Sequence, residues 1–156
     1  FKQKTAYEIP KRDWSSDVCS SDLHGYRVCG SDLSAQAITR ATAEATARGQ
    51  TVEFSVCDMR EAHMHHGTGY DLVISCDNSV PHLLNDAEIT LVLKQMYACL
   101  RPGGGCLITV RDYEREPRGT NILKPYGARI VGGKRYVIFQ VWDFDGDHYE
   151  IGRAHV

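Results

Sequence analysis

The stretch YDLVISCD, residues 70–77, constrains the fold more than any other. It is an apolar run of strand length with no polar alternation, and it ends in an acid. Such a run is typical of a strand buried on both faces of a parallel sheet. Parallel neighbours need crossover connections, usually helical, and the flanking text supplies them. YRVCGSD (26–32) reads as a short strand running into Asp32. SAQAITRATAEATARG (34–49) reads as a helix with Ser34 as N-cap, Gly49 as its stop, and alanines with Ile38 on one face. TVEFSVCD (51–58) alternates with period two, as a strand does. NDAEITLVLKQMYACL (85–100) is an amphipathic helix capped by Asn85 or Asp86 and ended by RPGGG. CLITVRD (106–112) is a second buried strand, and RYVIFQVWDF (135–144) a longer one before a DGD turn. This order predicts a doubly wound α/β sheet.

In such sheets ligands bind at the carboxyl ends of the strands. Those ends carry Asp32, Asp58, Asp77 with Asn78, and Arg111 with Asp112. Four polar strand ends in a row form a pattern with a site in it. The competing reading is that the aspartates only cap the following helices.

Composition narrows the partners. At 156 residues the chain is one domain at most. A formal net charge of −2 gives no basic face for nucleic acid or a membrane surface. No apolar run approaches the ~20 residues of a membrane helix. The opening FKQKTAYEIPKR lacks the apolar centre of a signal peptide. Cysteines at 19, 29, 57, 76, 99 and 106 show no CxxC spacing, which suits packed thiols in a reducing cytosol. A cytoplasmic protein without a nucleic-acid or membrane partner is the expectation; oligomeric state is not legible.

Taken in order, these segments resemble a class I S-adenosylmethionine-dependent methyltransferase over roughly residues 24–150. HGYRVCGSDLS resembles the family's second strand, whose acidic end, here Asp32, holds the cofactor ribose. VCDMRE resembles the loop after the third strand, which places Asp58 at the adenine amino group and Met59 on the adenine face. LRPGGGCLITVRDYE resembles the helix end, glycine turn and fifth strand. The resemblance implies S-adenosyl-L-methionine as cofactor and Asp32, Leu33, Asp58, Met59, Cys76 and Asp77 as its binding residues. Within the class, NSVPHL and RDYE are most similar to the glycine/sarcosine N-methyltransferase branch. That likeness implies Arg111 on a substrate carboxylate, with Asn78, His82 and Tyr113 lining the acceptor pocket. Asp112 and Glu114 depart from the branch's Asn and Asp.

The family's first strand and its Gly-x-Gly-x-x-Gly loop belong before residue 24, and no such motif is written there. DWSSDVCSSDL (13–23) instead resembles, residue for residue, a sequencing adapter translated in one frame. EIGRAHV (150–156) matches the reverse complement of that adapter. The expectation is adapter-derived residues at 1–23 and 150–156, around a partial methyltransferase domain at 24–149. The family's sheet order is 3-2-1-4-5-7-6. Loss of strand 1 would part strands 2 and 4, and loss of the C-terminus would remove most of strand 7. A piece so interrupted is expected to be inactive.

Two other readings compete. A nicotinamide-dependent oxidoreductase also uses an acidic residue after its second strand, but RPGGG and CDMRE favour the methyltransferase. A metal-binding module could rest on HMHH (His63, His65, His66). That segment reads as a loop without cysteine partners, so no metal site is assigned.

Overall fold

The structure, a computed structural model, describes residues 26–155. The segment 1–23 lies outside the described residues. Two compact units divide the chain, Phe1–Arg111 and Asp112–Val156.

The first unit carries the strand–helix alternation. Strand β1 (Cys29–Asp32) is followed by helix α1 (Ala35–Ala47), strand β2 (Glu53–Val56) and a 3-10 turn, Met59–Glu61. Helix α2 (Ala62–His66), strand β3 (Tyr70–Ser75) and a second 3-10 turn, Val80–His82, come next. Helix α3 (Asp86–Cys99) and strand β4 (Leu100–Ile108) complete the unit. Ser34 caps α1 by accepting from the Ala37 N–H, and Asn85 caps α3 by accepting from the Glu88 N–H. The expected alanine face exists: Ala37, Ala41 and Ala45, four residues apart, are buried.

β1 pairs with β2, and β3 with β4, both in parallel. Among the described residues no ladder joins the two pairs.

Three details depart from the sequence reading. The run 70–77 is not buried on both faces: Leu72, Ile74 and, on β4, Leu107 are each 50 % exposed. The opposite face packs Val73 and Ile108 against a cluster of Val80, Val92 and Met96. RPGGG does not stand before the strand but inside it. Tyr70 pairs with Leu100 and Leu72 with Gly105, so residues 101–104 bulge between those two pairs. Gly104 makes that bulge possible, since a Cβ there would lie 2.9 Å from the Tyr70 carbonyl oxygen. Finally, β4 stops at Ile108, so 109–112 lie beyond the strand expected there.

The second unit is an antiparallel sheet, β5 (Ile122–Val131), β6 (Lys134–Asp145) and β7 (His148–His155), in the order β5-β6-β7. The strand expected at 135–144 forms, and so does its DGD turn, with Gly146 at φ +56°. Its partners are hairpin neighbours, however, where a parallel sheet was expected. The sequence reading did not assign β5. β7 includes 150–155 of the segment that resembles an adapter. Backbone pairing asks little of the side chains beyond tolerance of an extended chain.

Candidate functional site

Asp32 ends β1, and its Oδ1 accepts the Ser34 N–H at 2.7 Å. It braces the turn into α1 while Ser34 does the capping. Leu33 beside it is exposed.

Asp58 is more heavily engaged. It caps the 3-10 turn by accepting the Arg60 N–H at 2.9 Å. The Arg60 guanidinium also donates to both carboxylate oxygens, through Nε at 3.1 Å and Nη2 at 2.6 Å. Arg60 Nη1 reaches Glu88 Oε1 at 2.8 Å, and Glu88 Oε2 accepts the Leu84 N–H at 3.0 Å. One guanidinium thus ties the loop after β2 to the start of α3. The Arg60 hydrogen bond holds the Asp58 carboxyl below its ordinary value. The capping alternative therefore describes Asp58 well. Met59 packs against the Val80–Val92–Met96 cluster.

The ends of β3 and β4 meet. Asp77 and Asn78 take left-handed backbone conformations in succession, φ +54° and +66°. Asn and Asp tolerate that region better than other residues with a side chain, yet two in a row are unusual. Three bonds hold them. The Asp77 N–H donates to Thr109 Oγ1 at 3.1 Å, Ser79 Oγ donates to the Cys76 carbonyl at 2.9 Å, and Asn78 Oδ1 accepts the Arg111 N–H at 2.9 Å. Such conformations persist where surroundings over-determine them, a feature of functional loops. His82 closes the next 3-10 turn, its N–H bonded to the Ser79 carbonyl at 3.1 Å. Cys76, Asp77, Asn78, His82 and Arg111 thus belong to one strand-end region. Arg111 meets Asn78 through its backbone three residues past β4, where the sequence reading placed it directly after the strand.

Tyr113 lies in the second unit. Its hydroxyl is 2.8 Å from that of Tyr149, and the two rings stack at 5.4 Å. Tyr149 in turn stacks on Trp142 at 4.9 Å. Trp142 is buried, donates from Nε1 to Gln140 Oε1 at 2.9 Å, and has the Lys124 ammonium 4.9 Å from its ring centre. Lys124 also pairs with Glu116.

Sequence reasoning missed Arg60, Thr109 and this aromatic cluster. The Asp-x-Arg spacing in CDMRE signalled the first; nothing local signalled Thr109. It also misjudged HMHH. The segment is the helix α2, where a loop was expected, and it does have a cysteine neighbour. Ligating atoms of Cys57, His65 and His66 lie within 4.8 Å of one another. Burial raises the Cys57 thiol and lowers the His66 imidazole from their ordinary values.

A family model described as a methyltransferase domain matches residues 14–104. The chain belongs to that methyltransferase family. The match begins at Trp14 and so includes most of the segment that resembles an adapter. The glycine/sarcosine N-methyltransferase of Parasynechococcus marenigrum (strain WH8102) is 28% identical over 132 residues, covering 85% of this chain and 42% of the relative. The enzyme of the same name from Halorhodospira halochloris is 28% identical over 90 residues, 58% of this chain and 34% of that one. The chain spans less than half the length of either. A crystal structure of an S-adenosylmethionine-dependent methyltransferase from Clostridium acetobutylicum ATCC 824 matches with a TM-score of 0.57 at 12% identity. That match covers 94% of this chain and 73% of the other. Likeness at that identity concerns the fold, and it agrees with a truncated Rossmann-like methyltransferase. No helix among the described residues is long and apolar enough to cross a membrane.

Proposed function

We propose that this chain is part of an enzyme that transfers the methyl group of S-adenosylmethionine to the amine of a small carboxylate-bearing acceptor such as glycine. The observation that carries the reading is the junction of Asn78 and Arg111, with two left-handed residues held at the carboxyl end of β3. A carboxyl-end cleft is where parallel α/β sheets take ligands. Asp32, as a carboxylate at the end of β1, can accept two hydrogen bonds from vicinal ribose hydroxyls. Leu33, Asp58, Met59, Cys76 and Asp77 complete the cofactor side, with Asp58 giving up part of its Arg60 clamp to receive an adenine amino group. Asn78, His82 and Arg111 serve the acceptor. The names of the two relatives support the glycine-like branch.

When bound, S-adenosylmethionine supplies an electrophilic methyl group on a sulfonium. The chain's residues then only position and balance charge. Arg111 orients the acceptor by its carboxylate, so that the amine nitrogen faces the methyl in line. No side chain needs to become a nucleophile. The five described cysteines are free thiols, and this supports a cytoplasmic location.

The test uses the full-length enzyme. Arg111→Lys replaces a planar fork with a point charge and loses about one charge-assisted bond, roughly 1.5–3 kcal/mol. The Michaelis constant for the amino-acid acceptor should rise about tenfold or more while cofactor affinity holds. Asp32→Ala should do the reverse. An unchanged acceptor constant in Arg111→Lys rejects the carboxylate-bearing acceptor and leaves the family membership standing.

A further inference from the structure

Residues 57, 65 and 66 take no part in the proposed methyl transfer, yet the fold gathers them. Cys57 follows β2, and His65 and His66 end α2. Their ligating atoms fall within 4.8 Å of one another, and among the described residues this is the group with that property. Around one ion, bonds of ~2.0–2.3 Å at tetrahedral angles put ligand atoms about 3.5 Å apart. A small side-chain rotation closes the remaining gap.

The outer contacts are also those a metal site uses. His65 Nε2 is 2.8 Å from Ser55 Oγ, and His66 Nε2 is 3.0 Å from Ser31 Oγ. Ser31 and Ser55 are direct partners across β1 and β2. Each imidazole thus has one nitrogen oriented by a hydroxyl; on His66 the other, Nδ1, lies 3.8 Å from Cys29 Sγ, a contact that an ion would replace. Ligating histidines are almost always oriented in this way. His65 is exposed and His66 and Cys57 are half-buried, so an ion can enter from solvent.

We propose that Cys57, His65 and His66 form a binding site for one zinc ion, with the fourth position open to water. A thiolate with two imidazoles suits a borderline-soft ion such as zinc and does not suit magnesium or calcium. Copper of the blue type wants a long thioether bond, and Met64 is 82% exposed and outside the group. Binding exchanges the Cys57 thiol proton for the metal, Zn²⁺ replacing H⁺ on sulfur, and the proton leaves to solvent. The bound ion would pin α2 to the β1–β2 pair.

Cobalt(II) is the probe, since it takes zinc sites and reports its ligands by absorption. The 156-residue chain should bind one equivalent, with a thiolate-to-cobalt charge-transfer band and the intense visible bands of tetrahedral geometry. Zinc should displace it. Cys57→Ser should abolish the charge-transfer band, and the double variant His65→Ala with His66→Ala should weaken binding at least about a hundredfold. Ser55→Ala, which keeps all three ligands, should weaken it roughly tenfold. Cys106→Ser is a control that should change nothing. The proposal is overturned if the chain takes up no cobalt, or if the charge-transfer band survives in Cys57→Ser. Weak octahedral bands alone would also overturn it. None of these readings depends on methyl transfer.

Discussion

The two units reach order by opposite routes. In the first, the paired strands are distant in sequence: Cys29 lies opposite Glu53, and Val73 opposite Cys106. Each pair needs a helix between its members and packing to hold it. In the second, β5, β6 and β7 pair with their immediate neighbours through turns at Gly132–Gly133 and at Gly146, all with positive φ. The parallel pairs are short and leave one face half exposed, while the hairpin strands run to 8–12 residues. Local pairing carries a small loop-closure cost, so a hairpin sheet can hold on few buried groups. Distant parallel pairing depends on everything around it.

The contrast predicts where a single truncation does most harm. Trp142 is 1% exposed and joins Tyr149, Phe144, Lys124 and Gln140 in one cluster. Trp142→Ala should destabilise the second unit by about 3–5 kcal/mol. Val92, fully buried in the first unit, should cost about 1.5–3 kcal/mol on replacement by alanine. Urea melts followed by near-ultraviolet circular dichroism and by amide exchange would separate the two. Equal losses would erase the contrast.

The next effect belongs to the strand-end loop of the first unit. Asn78→Ala loses the bond to the Arg111 N–H and puts a Cβ-bearing, non-Asn residue at φ +66°. The two losses together are about 2–3 kcal/mol. Asn78→Gly keeps the conformation and loses only the bond, about 0.5–1.5 kcal/mol. Thermal melts of the pair measure the difference. If glycine is as harmful as alanine, the left-handed backbone is not under strain.

These residues also show what the sequence could and could not reveal. Periodicity exposed both long helices and five of the seven strands, missing β5 and β7, because local pattern decides which element forms. The caps Ser34 and Asn85 were legible for the same reason. Strand burial was not, because Leu72 and Ile74 look the same whether or not a neighbour covers them. The bulge at 101–104 escaped notice because a glycine run reads as a turn until its partner strand is seen. At the site, chain order placed Asp32, Asn78 and Arg111 at strand ends. The clamp of Arg60 on Asp58 and the meeting of Cys57 with His65 and His66 are three-dimensional facts, and spacing along the chain cannot express them.

The smallest expected effect concerns that clamp, and it sets the units against each other once more. Arg60 holds Asp58 and Glu88 with its side chain 40% exposed, whereas Lys124 and Glu116 pair with only 16% and 15% of theirs exposed. Asp58 is held below its ordinary value of 3.8, first by the Arg60 hydrogen bond. A carboxylate whose folded pKa is depressed stabilises the fold at pH above its unfolded value. That stabilisation fades as pH falls through the folded value. Arg60→Gln should move Asp58 back towards 3.8 and lower stability at neutral pH. The gap from the parent chain should close on acidification below the depressed value. Added salt should narrow the gap as well, since exposed charges are screened within about 10 Å at 0.1 M. The sheltered Glu116–Lys124 pair should respond much less to salt. Carbon-detected titration of the Asp58 carboxyl reads the shift directly, and urea midpoints at two pH values read its consequence. An Asp58 titration curve that does not move in Arg60→Gln would mean that burial and the backbone bond, not the guanidinium, set its acidity.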